Sequence, residues 1–570
     1  MKKIFITLLI LSSFSAIGIN KYTFEKLILL NSGMSLGTSD FLYVDQNNHK
    51  YLSNTFGGII SFGNNNLVSL ANNSIFIVQY DQNDTYVNSQ ILAYGNSIVS
   101  SSLKEYEGNL FLMISYRDKI YFGSDSLVSA GKCDIAILKF DMNYSLITKF
   151  NIGSAIDESC PKDAFTIADN QIYLGGNVNG DDTSSQFGNY SLIIGNDTLH
   201  IDTDTFHSHG DYFISKFDLN LQPILSKSMG GRQHNSCLSL RANQNHVYLL
   251  AYSSYNNNNE VGGTQFNFTT YSHSKYYIAK LNPEFNSIWF RRISNNGFGY
   301  IQIKKMELGN NIILFSGYST QGSGCGAVDQ VSLMMDNAPS IGNQEFTFVC
   351  TYDTNGVYKW NKLNQEFVTF YYSKVRNKFL YTANYYNNSV IGNDTVGACS
   401  GSDAYIGEMN LDNGQMKYLA NLCGDRQDII KNITENVQNK VFTSGIIYSG
   451  VIDLQHSIIY PDLGMNNMFY SSLDSLEYFP LHVSTKEKNF NMDIYPNPCY
   501  QTLNVRLPEH TTEKVSYTLY DITGRQIELP RLEKINSRIT QINMGDLQKG
   551  NYFLRVNAAN DVFTKMFSVE

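Results

Sequence analysis

The 570-residue chain carries little charge: 42 Lys and Arg against 51 Asp and Glu, 16% of residues, for a formal net charge of −9. Without clustered Lys and Arg it lacks the basic footprint that nucleic acid requires, and that class of partner is excluded. Proline is scarce at 10 residues and tryptophan almost absent at 2. Beyond the first residues no apolar run reaches the roughly 20 positions of a spanning helix, so the mature chain is expected to have no transmembrane helix. C-x-x-C, H-E-x-x-H, G-x-S-x-G and Walker sequences are all missing, which removes the linear signatures of the commonest zinc, hydrolase and nucleotide sites. What the chain has instead is 63 Asn, 39 Tyr and 34 Phe. Tyr and Phe favour strands and Asn favours tight turns, so the composition describes a large β-rich protein with many short connections. At this length it holds several domains or one large repeat-built domain.

Residues 1–18 have the form of a secretory signal. Lys2 and Lys3 supply the charge, Ile4 to Phe14 the apolar segment, and Ala16-Ile17-Gly18 the small residues of a cleavage site. Export places the eight cysteines (133, 160, 237, 325, 350, 399, 423 and 499) in a compartment where disulfides persist. Cys133 and Cys160 flank one repeat unit, as Cys399 and Cys423 flank another, which favours pairings 133–160 and 399–423 among the many that eight cysteines allow.

One pattern, an alternating apolar run closed by Asp or Asn, recurs seven times. The copies are 74–81, 134–141, 211–218, 275–282, 346–353, 403–410 and 467–474, and the closing residues lie 60, 77, 64, 71, 57 and 64 positions apart. Period-two alternation marks a half-buried strand, and the closing Asp or Asn is turn chemistry. A second apolar run follows several copies (Leu146 to Phe150, Ile224 to Met229, Ile288 to Ile293, Val357 to Leu363). Another strand precedes them, as in Asn170-Gln-Ile-Tyr-Leu-Gly-Gly176 and Asn310-Asn-Ile-Ile-Leu-Phe-Ser-Gly-Tyr318, and several units carry a Gly-Asn/Ser-Asp step (122–125, 194–197, 391–394). Each unit therefore reads as four antiparallel strands. Seven such units in series, over residues 21–483, point to an all-β fold with a seven-bladed β-propeller, an open β-solenoid being the alternative. Residues 22–30 form a spare strand that either pairs with the last blade or signals another count.

The repeat resembles the bacterial propeller family typified by D-x-[FY]-[IV]-[AV]-K-[FLY]-[DN] followed by a Trp-bearing strand. Trp289 and Trp360 each stand seven residues past their closing residue, a shared register that assigns them to the blades. After a polar linker, 484–490, the motifs Ile494-Tyr495-Pro496-Asn497-Pro498, Leu503-Asn504-Val505, Leu519 to Arg525 and Gly550 to Val556 follow in order, and the chain ends on an apolar strand. Residues 491–570 thereby closely resemble the type A C-terminal sorting domain of the type IX secretion system. The resemblance implies a small Ig-like β-sandwich and sorting-motif residues Tyr495, Pro496, Asn497, Pro498, Gly524, Arg525, Gly550, Tyr552 and Arg555. It further implies the type IX machinery and its sortase-like peptidase as partners, processing within 484–493, and delivery through the periplasm to the medium or the outer cell surface.

Candidate chemistry is sparse. His200, Asp202, Asp204, His207 and His209 form the densest ligand cluster, a donor set suited to a transition metal, and Asp202 and Asp204 are also oxygen donors for Ca²⁺; a solvated loop made by the longest repeat insertion, with ordinary turn chemistry, is the simpler account of the cluster. No cofactor is expected. Asp125-Ser126-Leu127, Asp197-Thr198-Leu199, Asp394-Thr395-Val396 and Asp474-Ser475-Leu476 resemble the Asp-Ser/Thr-apolar O-glycosylation sequon of such bacteria, although three of them fall on one repeat step. Two functions remain: a non-catalytic module whose propeller binds a glycan or protein, or a polysaccharide-active hydrolase or lyase using carboxylates drawn from several blades.

Overall fold

A computed structural model describes residues 22–32, 41–475 and 492–570, apart from short internal segments. In the first part these are 63, 180–188, 203–209, 232–233, 255–258, 269–274, 296–299, 321–331, 343–344, 365, 386–388, 393, 397–401, 425, 427, 449–451, 454–457 and 460–466. In the last part they are 508–514, 522–524, 537–538 and 559–560. The expected signal and linker, and the 484–491 part of the expected processing segment, lie outside the described residues. The protein is all-β; helix among the described residues is confined to one 3-10 turn, Lys162–Ala164. The chain divides into two compact units, Met1–Glu477 and Tyr478–Glu570.

In the first unit, antiparallel meanders of four strands succeed one another. The first comprises Phe41–Val44, Lys50–Phe56, Asn73–Tyr80 and the early part of Tyr86–Tyr106, whose later part opens the second with Asn109–Phe122, Asp134–Asp141 and Leu146–Ile152. The third is Phe165–Ala168, Gln171–Asn179, Tyr212–Asp218 and Pro223–Gly231, and the fourth Asn235–Asn243, His246–Ser253, Lys275–Leu281 and Ser287–Asn295. The fifth is Tyr300–Leu308, Ile312–Thr320, Phe346–Asp353 and Tyr358–Leu363, and the sixth Glu366–Ser373, Lys378–Tyr385, Asp403–Asn410 and Met416–Gly424. The last joins Asp428–Glu435, Val441–Ile447 and Asn467–Ser475 to the N-terminal strand Tyr22–Ser32, which supplies its fourth member. The spare strand of the sequence therefore pairs with the end of the repeat, Tyr22 opposite Ser475 and Leu30 opposite Met468.

The recurring sequence pattern is the third strand of every meander. It reads as an apolar run because both of its neighbours are strands and both of its faces are covered: Ile135, Ala136, Ile137 and Leu138 are fully buried, as are Phe213 and Ile214. The closing Asp or Asn builds the turn that follows. Asp81 Oδ1 accepts the backbone N–H of Asn83 and of Thr85, both at 2.8 Å, and Asp141, Asp218, Asn282 and Asp353 repeat this two-point cap. The third residue after the cap takes a left-handed conformation, with φ of 62° at Asp84, 66° at Tyr144, 62° at Leu221, 60° at Phe285 and 76° at Gly356. Bulky residues resist that conformation. Here Tyr144, Leu221 and Phe285 are buried, so packing offsets the strain.

Neighbouring meanders interlock through this same turn. Trp289 Nε1–H donates to the Thr354 carbonyl at 3.2 Å and Trp360 Nε1–H to the Leu411 carbonyl at 2.7 Å, each reaching the residue after the next closing Asp or Asn. Lys216 Nζ reaches the Pro283 carbonyl and Lys280 Nζ the Thr354 carbonyl, both at 3.0 Å. The first strands of consecutive meanders touch in turn, and Asp428–Glu435 of the last touches Phe41–Val44 of the first, so the contacts close on themselves.

The cysteines do not follow the expected pairing. Cys133 and Cys160 are both buried free thiols, and burial pushes the Cys133 thiol up to about 12. They look in different directions. Cys133 forms a bridge with Asp157 at the start of its strand, whereas Cys160 donates its backbone N–H to the Ser115 hydroxyl oxygen and has Cys237 of the fourth meander as its electrostatic neighbour. Cys237, Cys350 and Cys499 are likewise buried and free. Cys399 lies outside the described residues, and the side chain of Cys423 is not described.

Candidate functional site

The second unit holds two four-stranded sheets. One orders Asp493–Tyr495, Thr502–Arg506, Ile539–Asn543 and Leu532–Lys534; the other orders Gln526–Ile527, Val515–Asp521, Gly550–Ala558 and Asp561–Val569. Leu503, Val505 and Ile542 from the first sheet meet Leu519, Leu554, Val556 and Phe567 from the second in one buried cluster. Among the described residues the two sheets hold eight strands.

The motif residues fall into two groups. Tyr495, Pro496, Asn497 and Pro498 lead into a segment tied to the terminal strand. Asn497 Oδ1 accepts the Ser568 N–H at 2.9 Å and its Nδ2 donates to the Met566 carbonyl, while the Cys499 N–H donates to the Ser568 carbonyl at 2.8 Å and the Glu570 N–H to the Cys499 carbonyl at 2.9 Å. Gly550 pairs with Val569, and Tyr552 is buried against Phe567 with its hydroxyl donating to the Gln548 carbonyl at 2.6 Å. One end of the unit thus gathers the first motif, the fourth motif and the final strand. Tyr495 faces Arg506, whose guanidinium lies 5.2 Å from the ring centre. Arg525 stands apart and exposed, closing the hairpin by accepting the Asp521 N–H on its carbonyl and donating its own N–H to Asp521 Oδ1, both at 3.0 Å, and Arg555 is half-buried between Leu554 and Val556; Gly524 is outside the described residues.

The metal candidates are only partly visible. His200 is exposed on the hairpin strand Asp197–Asp202, where Asp202 is the terminal residue, while Asp204, His207 and His209 lie outside the described residues. Among the described residues no group of three or more His, Cys, Asp and Glu could hold an ion. Asp125 and Asp197 open the second strands of short hairpins whose turns place Gly123 and Gly195 at a φ of 60°; the Gly-Asn/Ser-Asp step is a hairpin turn.

Sequence reasoning missed a cluster built where the first strands converge. Lys104 comes from the second meander, Asp163 from the 3-10 turn ahead of the third, Arg241 from the fourth, and Lys305 and Glu307 from the fifth. Arg241 holds Glu307 through Nε at 3.2 Å and Nη2 at 3.1 Å and donates Nη1–H to the Asp163 carbonyl at 3.1 Å. Lys305 pairs with the Asp163 carboxylate at 3.2 Å. Burial alone would raise the Asp163 carboxyl, but Lys305, Arg241, Lys162 and Lys104 hold it well below the usual carboxylate range. Burial and then the Arg241 cation pull Lys104 the other way, down to about 8. A cavity of about 690 Å³ adjoins the cluster, lined by Tyr106, Arg241, His246, Glu307, Tyr372 and Lys374 among others. The available signal was positional: Lys104, Arg241 and Lys305 stand five, five and seven residues ahead of their second strands.

Together these features define an all-β protein in which a repeat unit precedes a small two-sheet terminal module. That module is a type IX sorting domain: residues 493–570 match the secretion system C-terminal sorting domain family. The chain is accordingly secreted by the type IX system or displayed on the outer surface, in contact with that machinery. No helix among the described residues is long and apolar enough to cross a membrane. No curated protein matches the chain. Among solved structures it is similar to the β-propeller domain of the Trilobed protease from Pyrococcus furiosus, with an open velcro topology, at 10% identity and a TM-score of 0.26 over 64% of this chain and 100% of that one.

Proposed function

We propose that the first unit is a seven-bladed β-propeller that acts as a non-catalytic binding module, delivered outside the cell by the terminal sorting domain and meeting its glycan or protein ligand at the mouth of the central channel. The observation that carries this reading is the closed cycle of contacts among the first strands, with the 690 Å³ cavity at the ends of five of those meanders. A cavity of this size lies within the ordinary range for ligand sites, roughly 300–1,000 Å³. The hydrolase alternative needs one carboxylic acid kept protonated beside a carboxylate. Asp163 is instead held ionised by cations, an arrangement suited to fixed charge rather than proton transfer, and Glu307 is engaged by two bonds from the Arg241 guanidinium.

Two measurements test the proposal. Removal of residues 491–570 should leave the chain in the periplasm, and unchanged export would sink the sorting role. A glycan array probed with the full mature chain should give saturable binding without cleavage; release of shortened products from any bound glycan would establish the hydrolase reading instead.

A further inference from the structure

We propose that the charge cluster beside the cavity is a recognition site for a single oxyanion, a carboxylate or phosphate group of the ligand, with Lys104 as its principal contact. This rests on the binding-module reading above and specifies the chemistry of its ligand.

The cluster holds three cations, Lys104, Arg241 and Lys305, and two carboxylates, Asp163 and Glu307. Both carboxylates are already engaged: Asp163 pairs with Lys305 at 3.2 Å, and Glu307 with Arg241 at 3.1 Å. Lys104 is the cation without an ion pair or hydrogen bond of its own among the described residues; Asp163 and Glu307 attract it from a distance, but burial and the repulsion of Arg241 and Lys305 outweigh them. A shielded cation without a partner is costly, and the arrangement that relieves the cost is an anion brought by a ligand. Residues two apart on a strand share a face. Lys104 therefore shares its face with Tyr106, which lines the cavity, and it lies in electrostatic reach of Arg241 and Glu307, which also line it. Glu307 does not turn the cavity against anions, because the two Arg241 bonds neutralise it. The lining carries the cations Arg241 and Lys374 together with the carboxylates Asp169 and Glu307, so Lys104 is the charge that tips the balance towards an anion. Aromatic lining at Tyr106 and Tyr372 provides flat surfaces for the remainder of the ligand.

The test is isothermal titration of the full chain, at low ionic strength, with inorganic phosphate, an oligogalacturonate and a neutral galactan oligomer. At least one of the two anions should bind, and which one binds assigns the oxyanion to phosphate or to an acidic sugar. Lys104→Met should weaken that binding at least tenfold, whereas Lys149→Met, whose ammonium instead pairs with Asp125, should leave it unchanged. Equal anion affinity in Lys104→Met and the parent chain would overturn the proposal, as would failure of both anions to bind. Binding of the neutral oligomer alone would overturn the anion site while leaving the binding module standing.

Discussion

Lys104→Met tests the electrostatics of the cluster without any ligand. Methionine keeps the length of the stem and removes the charge. The amine falls from 10.5 to about 8 on folding, and at about 1.4 kcal/mol per unit the charged form costs the folded state at most about 3–4 kcal/mol. The side chain retains partial contact with solvent, which reduces the figure to about 1–2 kcal/mol. The folded pKa lies below the unfolded one, so between about pH 8 and 10.5 the unfolded chain holds a proton that the folded chain has released. Stability therefore rises with pH across that window, and the cost is present in full below it. The charged groups facing Lys104 are Arg241, Lys305, Asp163 and Glu307, and comparison of variant with parent cancels most of what they contribute. Guanidinium unfolding at pH 7, 8, 9 and 10 measures the effect through the midpoint at constant slope. Lys104→Met should be more stable than the parent at pH 7 by about 1–2 kcal/mol, with most of the advantage lost by about pH 10. A variant less stable at pH 7, or a difference flat across the series, would refute the reasoning.

Three further perturbations follow from buried or capping carboxylates. Asp134 is fully buried and accepts hydrogen bonds from the Ser129 hydroxyl at 2.9 Å, the Ala130 N–H at 3.1 Å and the Asn151 amide at 2.8 Å; Asp134→Ala strands these donors and should lower unfolding stability by about 3 kcal/mol. Glu158 is buried, and burial lifts its carboxyl to about 7 although the Ser154 hydroxyl and N–H work against the shift. Its folded pKa exceeds the unfolded one, so parent stability should fall as pH rises from about 4.5 to 7, and Glu158→Gln should abolish that fall in denaturant midpoints. Asp353→Ala removes caps of 2.9 Å to Asn355 and Val357 in an exposed turn, where water replaces part of the loss; about 1 kcal/mol is expected, and amide exchange at Val357 should quicken.

The third strand of each meander was legible in the sequence because of where it sits. It is flanked by strands on both sides and covered on both faces, so its apolar run is continuous, and its closing Asp or Asn is held by a local two-point cap that any copy needs. The tryptophans were legible for the same reason, since their register follows the cap of the neighbouring unit. In the terminal module, the Asn497 and Tyr552 motifs are dense and local, and both act within a few residues of the chain end or of their own turn.

The two failures of sequence reading share a physical cause, which is that both concern contacts made across meanders. Cys133 and Cys160 flank one unit and invite pairing, yet the three residues Asp157–Ser159 run as a strand beside Asn177–Asn179 and carry Cys160 toward Cys237 of the fourth meander. The close packing there is set by Gly175, where a Cβ would fall 2.3 Å from the Cys237 sulfur of the neighbouring meander, whereas one on Gly176 would meet the Phe213 ring of its own meander. The charge cluster is hidden in the same way. Lys104, Asp163, Arg241, Lys305 and Glu307 span four meanders, and none stands in a motif. Individually each looks like a polar side chain at the end of a short strand. Only the cyclic contact of the first strands brings them together, three cations against two carboxylates, so the feature that bears most directly on a ligand is a property of the assembled repeats rather than of any single copy.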